Sequence, residues 1–195
     1  MEKILIATRN KDKFRIASKL LSEIFKNYEF ESLKDLEIEI RDKEEAGDII
    51  NRAEEKALNV YEQLTVNNYS YIVGIDDNIK MKGKIILDIR EYINDIMFND
   101  YLKTDEIVHI LRAYSFINRK GEKKSILTEI PFSYQPLKYE FNMEENSYPL
   151  SHVLAPLNDN IAVINMHEND SNSYYLEHSI NEFNEVKEFF EGVLL

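Results

Sequence analysis

The sequence predicts an α/β protein with a mixed sheet. Apolar runs of strand length alternate with stretches of helical periodicity along most of the chain. Two segments, near 80–87 and 113–129, fold about glycine-containing turns and imply antiparallel hairpins beside any parallel pairing. No internal repeat, linker or low-complexity tract interrupts the pattern, so the 195 residues are expected to form a single domain, 1–195, with ample length for one core.

The elements follow in order. Residues 3–7 are a short apolar strand, and Thr8-Arg9-Asn10 breaks it with cap-forming residues. Phe14, Ala17, Leu20, Leu21, Ile24 and Phe25 recur at helical spacing and predict a helix over about 12–25. Strands are expected at 28–33 and 36–40. Ile49, Ile50, Ala53, Ala57, Val60, Tyr61 and Leu64 form one apolar stripe, and Asp48 is placed to cap that helix. Asn67-Asn68 is a loop. Residues 71–75 read as a buried strand ending in Asp76-Asp77, and 80–87 as a hairpin about Lys82-Gly83. Helical spacing returns at Ile89, Ile93, Ile96 and Met97, and again over 104–111. A second hairpin is expected from 113 to 129 about Arg119-Lys120-Gly121. Three of the four prolines lie in 136–156, where the signals weaken. Strands are expected at 160–165 and 173–176, and Phe183, Val186, Phe189 and Phe190 predict a closing helix.

Composition excludes several classes. With 44% apolar and 31% charged residues the chain is an ordinary globular sequence, and with no cysteine it has no disulfide, zinc–thiolate site or cysteine nucleophile. A formal net charge of -12 argues against coating a nucleic-acid polymer, which requires a basic face. No apolar run approaches the roughly 18 residues of a membrane helix, and the opening apolar run is too short for a signal peptide, so the expected compartment is the cytoplasm. The charge is uneven. Residues 1–20 carry six basic side chains against two acidic ones, whereas 142–195 carry Lys187 alone against ten acids.

Candidate chemistry begins at the turn 8–13. A helix N-terminus presents free N–H groups and partial positive charge, so Thr8, Asn10 and Lys13 either bind a phosphate or cap and flank the helix. It is not a P-loop, since the glycine-rich pattern is absent. Asp76-Asp77 at a strand end either holds Mg²⁺ beside a water or makes a polar turn. Glu44-Glu45 with Gly47 either adds oxygen ligands or is a charged loop. Lys56, close to an apolar stripe, either reaches solvent or points at an anion. His152, after Ser151, is a candidate polar contact, while His109, His167 and His178 have no partner pattern. No Ser/His/Asp spacing stands out.

The order of these pieces resembles the inosine/xanthosine triphosphate pyrophosphatase family, which hydrolyses non-standard purine nucleoside triphosphates. Thr8, Asn10 and Lys13 match its T-x-N-x-x-K turn. Glu45-Ala46-Gly47 and Ala53-Glu54-Glu55-Lys56-Ala57 match its E-x-G and A-x-x-K-A elements, and Asp76-Asp77 matches its DD pair. Weaker echoes are RAYSF at 112–116, PFSYQP at 131–136 and LSHVLA at 150–155. Coverage extends over 1–155, and 156–195 are divergent.

The resemblance implies a two-lobed fold with an elongated mixed sheet, an active cleft between the lobes, and a homodimer. It also implies Mg²⁺-dependent release of pyrophosphate from a nucleoside triphosphate. Thr8, Asn10, Lys13 and Lys56 would grip the triphosphate, Glu45 and Asp76 would hold Mg²⁺, and Asp77 would activate water. Tyr134 and His152 would contact the base. The departures fall mainly on the base side: Asn78 and Ile79 replace the serine and glycine after the DD pair, Gln135 replaces an aspartate and Val153 an arginine. A hydrogen-bonding site that loses its partners loses specificity. The alternative is a catalytically weak or inactive relative that binds a nucleotide or a protein.

Overall fold

Ile4, Leu5 and Ile6 are all fully buried, so β1 (Glu2–Ile6) is covered on both faces, as an unbroken apolar run requires. The computed structural model describes residues 2–36, 38, 48–64, 68–138 and 149–192. β1 pairs in parallel with β2 (Tyr28–Ser32) on one side and β3 (Tyr71–Met81) on the other. The seven-stranded sheet runs β2-β1-β3-β5-β6-β7, with β4 (Lys84–Ile86) antiparallel to β3. β5 (Ile107–Asn118) and β6 (Lys123–Tyr134) are joined by a tight turn, and β7 (Leu154–Ala155) pairs antiparallel with the end of β6. The expected class, α/β with a mixed sheet, is the one observed. The chain divides into two compact units: Met1–Asp77, Arg112–Thr128 and Ser179–Leu195 form one, and Asn78–Leu111 with Glu129–His178 the other.

In the first unit two helices connect the parallel strands. α1 (Lys11–Ile24) leads from β1 to β2, and α2 (Ile49–Gln63), capped by Asp48 Oδ1 accepting from Asn51 N at 2.9 Å, leads on to β3. The sheet pleat sorts its side chains by parity. Leu5, Ile72 and Ile117 pack with Ala57 and Val60 of α2. Tyr71, Tyr114 and Phe116 belong to an aromatic cluster in which Phe25 lies 5.5 Å from Tyr71 and 6.2 Å from Phe116. Phe183 and Phe190 of α5 (Ile180–Glu191) join it, at 4.9 Å from Tyr114 and 5.0 Å from Tyr71. The expected closing helix is therefore present and anchored by aromatic contact.

Gly74 fixes how closely α2 approaches β3. A Cβ there would sit 2.0 Å from Ala53 O and 2.7 Å from Ala57 N, so only glycine lets the helix backbone lie on the strand. That contact holds the same stretch of α2, through Arg52 and Lys56, beside the residue two places on, Asp76.

The second unit contains β4, α3 (Ile93–Phe98), α4 (Glu168–Glu177) and the distal parts of the long strands. The β3–β4 hairpin turns on Lys82 and Gly83, both at positive φ (50° and 72°), which suits a two-residue turn. Phe132 packs between Tyr174 and Tyr175, at 5.3 and 5.7 Å.

Four expectations are corrected. β3 does not stop at Ile75 but continues to Met81, so Asp76 and Asp77 lie within the strand. The helix expected over 104–111 is instead the start of β5, where the β-branched run Ile107-Val108 favours sheet pairing over the coincident helical spacing. The strand expected at 173–176 belongs to α4, whose burial falls on Asn172 and Tyr175, a three-residue spacing. At 160–165 there is a 3-10 turn, Val163–Asn165. The strand expected at 36–40 falls largely outside the described residues, as does Asn67.

Candidate active site

The turn after β1 is shaped by its own side chains. Thr8, buried, accepts Asn10 N at Oγ1 (3.2 Å), and Asn10 Oδ1 accepts Lys13 N (3.0 Å) as the N-cap of α1. Capping thus occupies the Asn10 oxygen. Lys13, one turn in, reaches Asp77: Nζ lies 3.2 Å from Oδ2.

Because β3 is extended through both aspartates, successive side chains leave it on opposite faces. Asp76 faces α2. Its Oδ1 accepts from Lys56 Nζ at 2.7 Å, and its Oδ2 is bonded by Arg52 Nε. Arg52 and Lys56 are four residues apart on one helical face, which lets both reach a single carboxylate. Asp77 faces the other way. Arg112 of β5 grips it side-on, Nε to Oδ1 at 2.5 Å and Nη2 to Oδ2 at 3.0 Å, with Lys13 as its second cation. Burial alone would raise the Asp77 pKa, but the Arg112 and Lys13 charges outweigh it and hold the carboxyl well below the usual carboxylate range. Asp77 is an ionised group at any ordinary pH.

The arginines are locked in and the lysines are not. The Arg52 and Arg112 side chains are 8% and 3% exposed, against 28% for Lys56 and 25% for Lys13. Among the described residues, these four cations share two carboxylates.

Thr8, Asn10, Lys13, Lys56, Asp76 and Asp77 thus all belong to the first unit: Thr8 and Asn10 shape the turn, while Arg52 and Lys56 on Asp76, and Arg112 and Lys13 on Asp77, form two ion-pair groups at adjacent strand positions. Tyr134 and His152 lie in the second unit. Tyr134 is buried and donates its hydroxyl to Ile96 O at 2.9 Å. His152 ends the 3-10 turn Pro149–His152, and burial lowers its imidazole pKa, which keeps it neutral at pH 7. Gln135, at the position of the expected aspartate, donates Nε2 to Asp105 Oδ1 and Ser133 Oγ, both at 2.8 Å. Glu45, with Glu44 and Gly47, lies outside the described residues.

Sequence reasoning missed Arg52 and Arg112 as site residues. Both carried a signal. Arg52 sits in the apolar stripe of α2, and Arg112 interrupts an otherwise apolar strand run, so each is a buried cation requiring an anion.

The chain was compared with known proteins. No family model matches it, and no curated protein does. Solved structures do. A dITP/XTP pyrophosphatase from Mycobacterium abscessus superposes with a TM-score of 0.58 at 14% identity, covering 92% of this chain and 97% of that one. A HAM1 protein from Coxiella burnetii gives 0.62 at 13%, covering 95% and 98%, and the Staphylococcus aureus Ham1 protein 0.57 at 17%, covering 98% and 99%. The fold is that of the Ham1 proteins. At these identities the likeness is one of architecture, and it spans nearly the whole chain, residues after 155 included.

The Mg²⁺ implied by the family resemblance requires a set of oxygen ligands free to converge on one ion. Among the described residues no three His, Asp or Glu side chains gather. Both oxygens of Asp76 and both of Asp77 already accept from cations, and the pleat turns the two carboxylates apart. The described residues by themselves do not fit a divalent cation, which wants oxygens free of positive neighbours.

Proposed function

We propose that this protein binds a nucleoside triphosphate at the α1 turn and hydrolyses it to a nucleoside monophosphate and pyrophosphate. The observation that carries the reading is the meeting of a phosphate-competent turn with a permanently ionised carboxylate through Lys13–Asp77. Free N–H groups at the start of α1 and the Lys13 ammonium would take phosphate oxygens, in a region where the sequence is locally basic. Asp77 would orient the attacking water. Among the described residues, one cation contact falls on Oδ1 and two on Oδ2, which leaves an acceptor position on Oδ1. A carboxylate held below its usual range is a poor proton acceptor, so its part is to position water rather than to deprotonate it. A homodimer is the assembly of this reading.

The Arg112 clamp favours a second reading, a binding module with little or no turnover, because a nucleophile-positioning group gains nothing from a bidentate guanidinium. One experiment separates them. Pyrophosphate release is measured over a panel of nucleoside triphosphates, with Asp77→Asn in parallel. Release that the variant abolishes supports the enzyme. No release, together with triphosphate-dependent thermal stabilisation, supports the binding module. If neither appears, both readings fall.

A further inference from the structure

Resting on the homodimer of the proposed function, we infer that two copies of this chain pack face to face through the bare side of the sheet in the second unit, the side that carries Ile85, Leu87 and Ile107.

The strands of this unit sort their side chains by parity. Ile79 and Met81 of β3, Ile86 of β4, and Val108 and Ile110 of β5 are buried. On β6 the same side holds Phe132, which α4 covers through Tyr174 and Tyr175. The alternate residues make up the other side. Ile85 stands opposite Lys80 in the β3–β4 register. Lys80 donates Nζ to Glu129 Oε1 at 2.8 Å, and His109 Nδ1 lies 3.0 Å from the same oxygen, so β3, β5 and β6 present these three together. Ile107, two places before His109, and Leu87, two places after Ile85, join them by the pleat.

An antiparallel sheet with one open side ordinarily keeps that side polar. Here Ile85, Leu87 and Ile107 are 55%, 62% and 52% exposed. One such residue would be unremarkable, but three on one side of adjoining strands form a patch whose apolar area favours being covered.

Shape and charge point to a second copy as what covers it. The surface is one side of a sheet, and another such side packs on it at the usual spacing of about 10 Å. Its polar residues carry both signs, Lys80 beside Glu129. A partner of a single sign would meet its own sign there, whereas a two-fold related copy can turn each lysine toward the opposite glutamate. The hairpin also carries Lys80, Lys82 and Lys84 with no acid, on a chain of net charge -12. Repulsion between copies is therefore weakest on this side.

Sedimentation velocity on the full chain over a concentration series gives the test, and the wild type is expected to be a dimer. Ile85→Lys/Leu87→Lys replaces two exposed side chains and should keep the fold, which circular dichroism checks. It should raise the dimer dissociation constant about tenfold or more. Ile107→Ser tests the same side should the double variant lose its fold. Phe189→Lys, at an aromatic residue of α5 that is also more than half exposed, should leave the dissociation constant unchanged. A dimer that survives the substitutions at 85, 87 and 107, or that Phe189→Lys disrupts equally, overturns this interface and leaves the homodimer standing. A wild-type monomer at every concentration overturns both.

Discussion

Arg112 meets Asp77 with two parallel donors, 2.5 Å from Oδ1 and 3.0 Å from Oδ2, across neighbouring strands of one sheet. The guanidinium is almost wholly enclosed, so the pair is an internal one, and its two halves are unequal to its whole. Arg112→Gln or Asp77→Asn alone strands a charge and should cost about 3–5 kcal/mol. The apolar double variant Asp77→Leu/Arg112→Met should cost clearly less than the two single losses summed. Urea denaturation of the four proteins completes the cycle. Additive costs would mean that the pair contributes no coupling.

Acid stability follows from the same carboxylate. Its folded pKa is depressed, so its contribution is fully present above the ordinary aspartate value of about 3.9 and is lost only as pH falls below that value toward the folded one. The unfolding free energy of the wild type should therefore drop as pH is lowered below about 4, and Asp77→Asn, less stable throughout, should lack that component. Parallel slopes for both proteins below pH ~4 would contradict the assignment.

Gly74→Ala places a methyl 2.0 Å from Ala53 O. Neither backbone can yield without separating α2 from β3, so the expected loss is about 3 kcal/mol or more, at the upper end for overpacking. The variant should also weaken the Arg52–Asp76 and Lys56–Asp76 contacts, which depend on that approach. Thermal denaturation measures the first effect, and tripolyphosphate affinity the second.

Asn10 allows capping to be separated from anion reception. Asn10→Ala removes the acceptor for Lys13 N and should cost about 1 kcal/mol. Asn10→Asp keeps the cap and the stability, but it places a negative charge at the phosphate turn and should weaken tripolyphosphate binding severalfold. Equal binding by Asn10→Asp and wild type would remove the turn from the site.

The fold was legible where burial and periodicity agree: β1, α1, α2, the β3–β4 hairpin and α5 all follow from apolar spacing that the structure buries. It was illegible where local propensity and tertiary packing compete. The start of β5 mimics helical spacing, and the tyrosine-rich α4 mimics a strand, since Tyr174 and Tyr175 favour sheets locally but pack as a helical pair on Phe132. At the site, Lys13, Lys56, Asp76 and Asp77 were recognisable by motif order. Their partners were not, because Arg52 and Arg112 carry meaning only once a strand and a helix from distant parts of the chain are brought onto the aspartates. Ending the strand at Ile75, when β3 runs to Met81, also hides the pleat, and with it the separation of the two carboxylates.

That separation makes the two charge systems modular. Among the described residues, Asp76 is held by α2 and Asp77 by α1 and β5, so either can be rewritten while the other keeps those partners. A lineage could abandon one and retain the other without collapse. For a protein engineer, this strand offers two independently adjustable electrostatic dials one peptide bond apart.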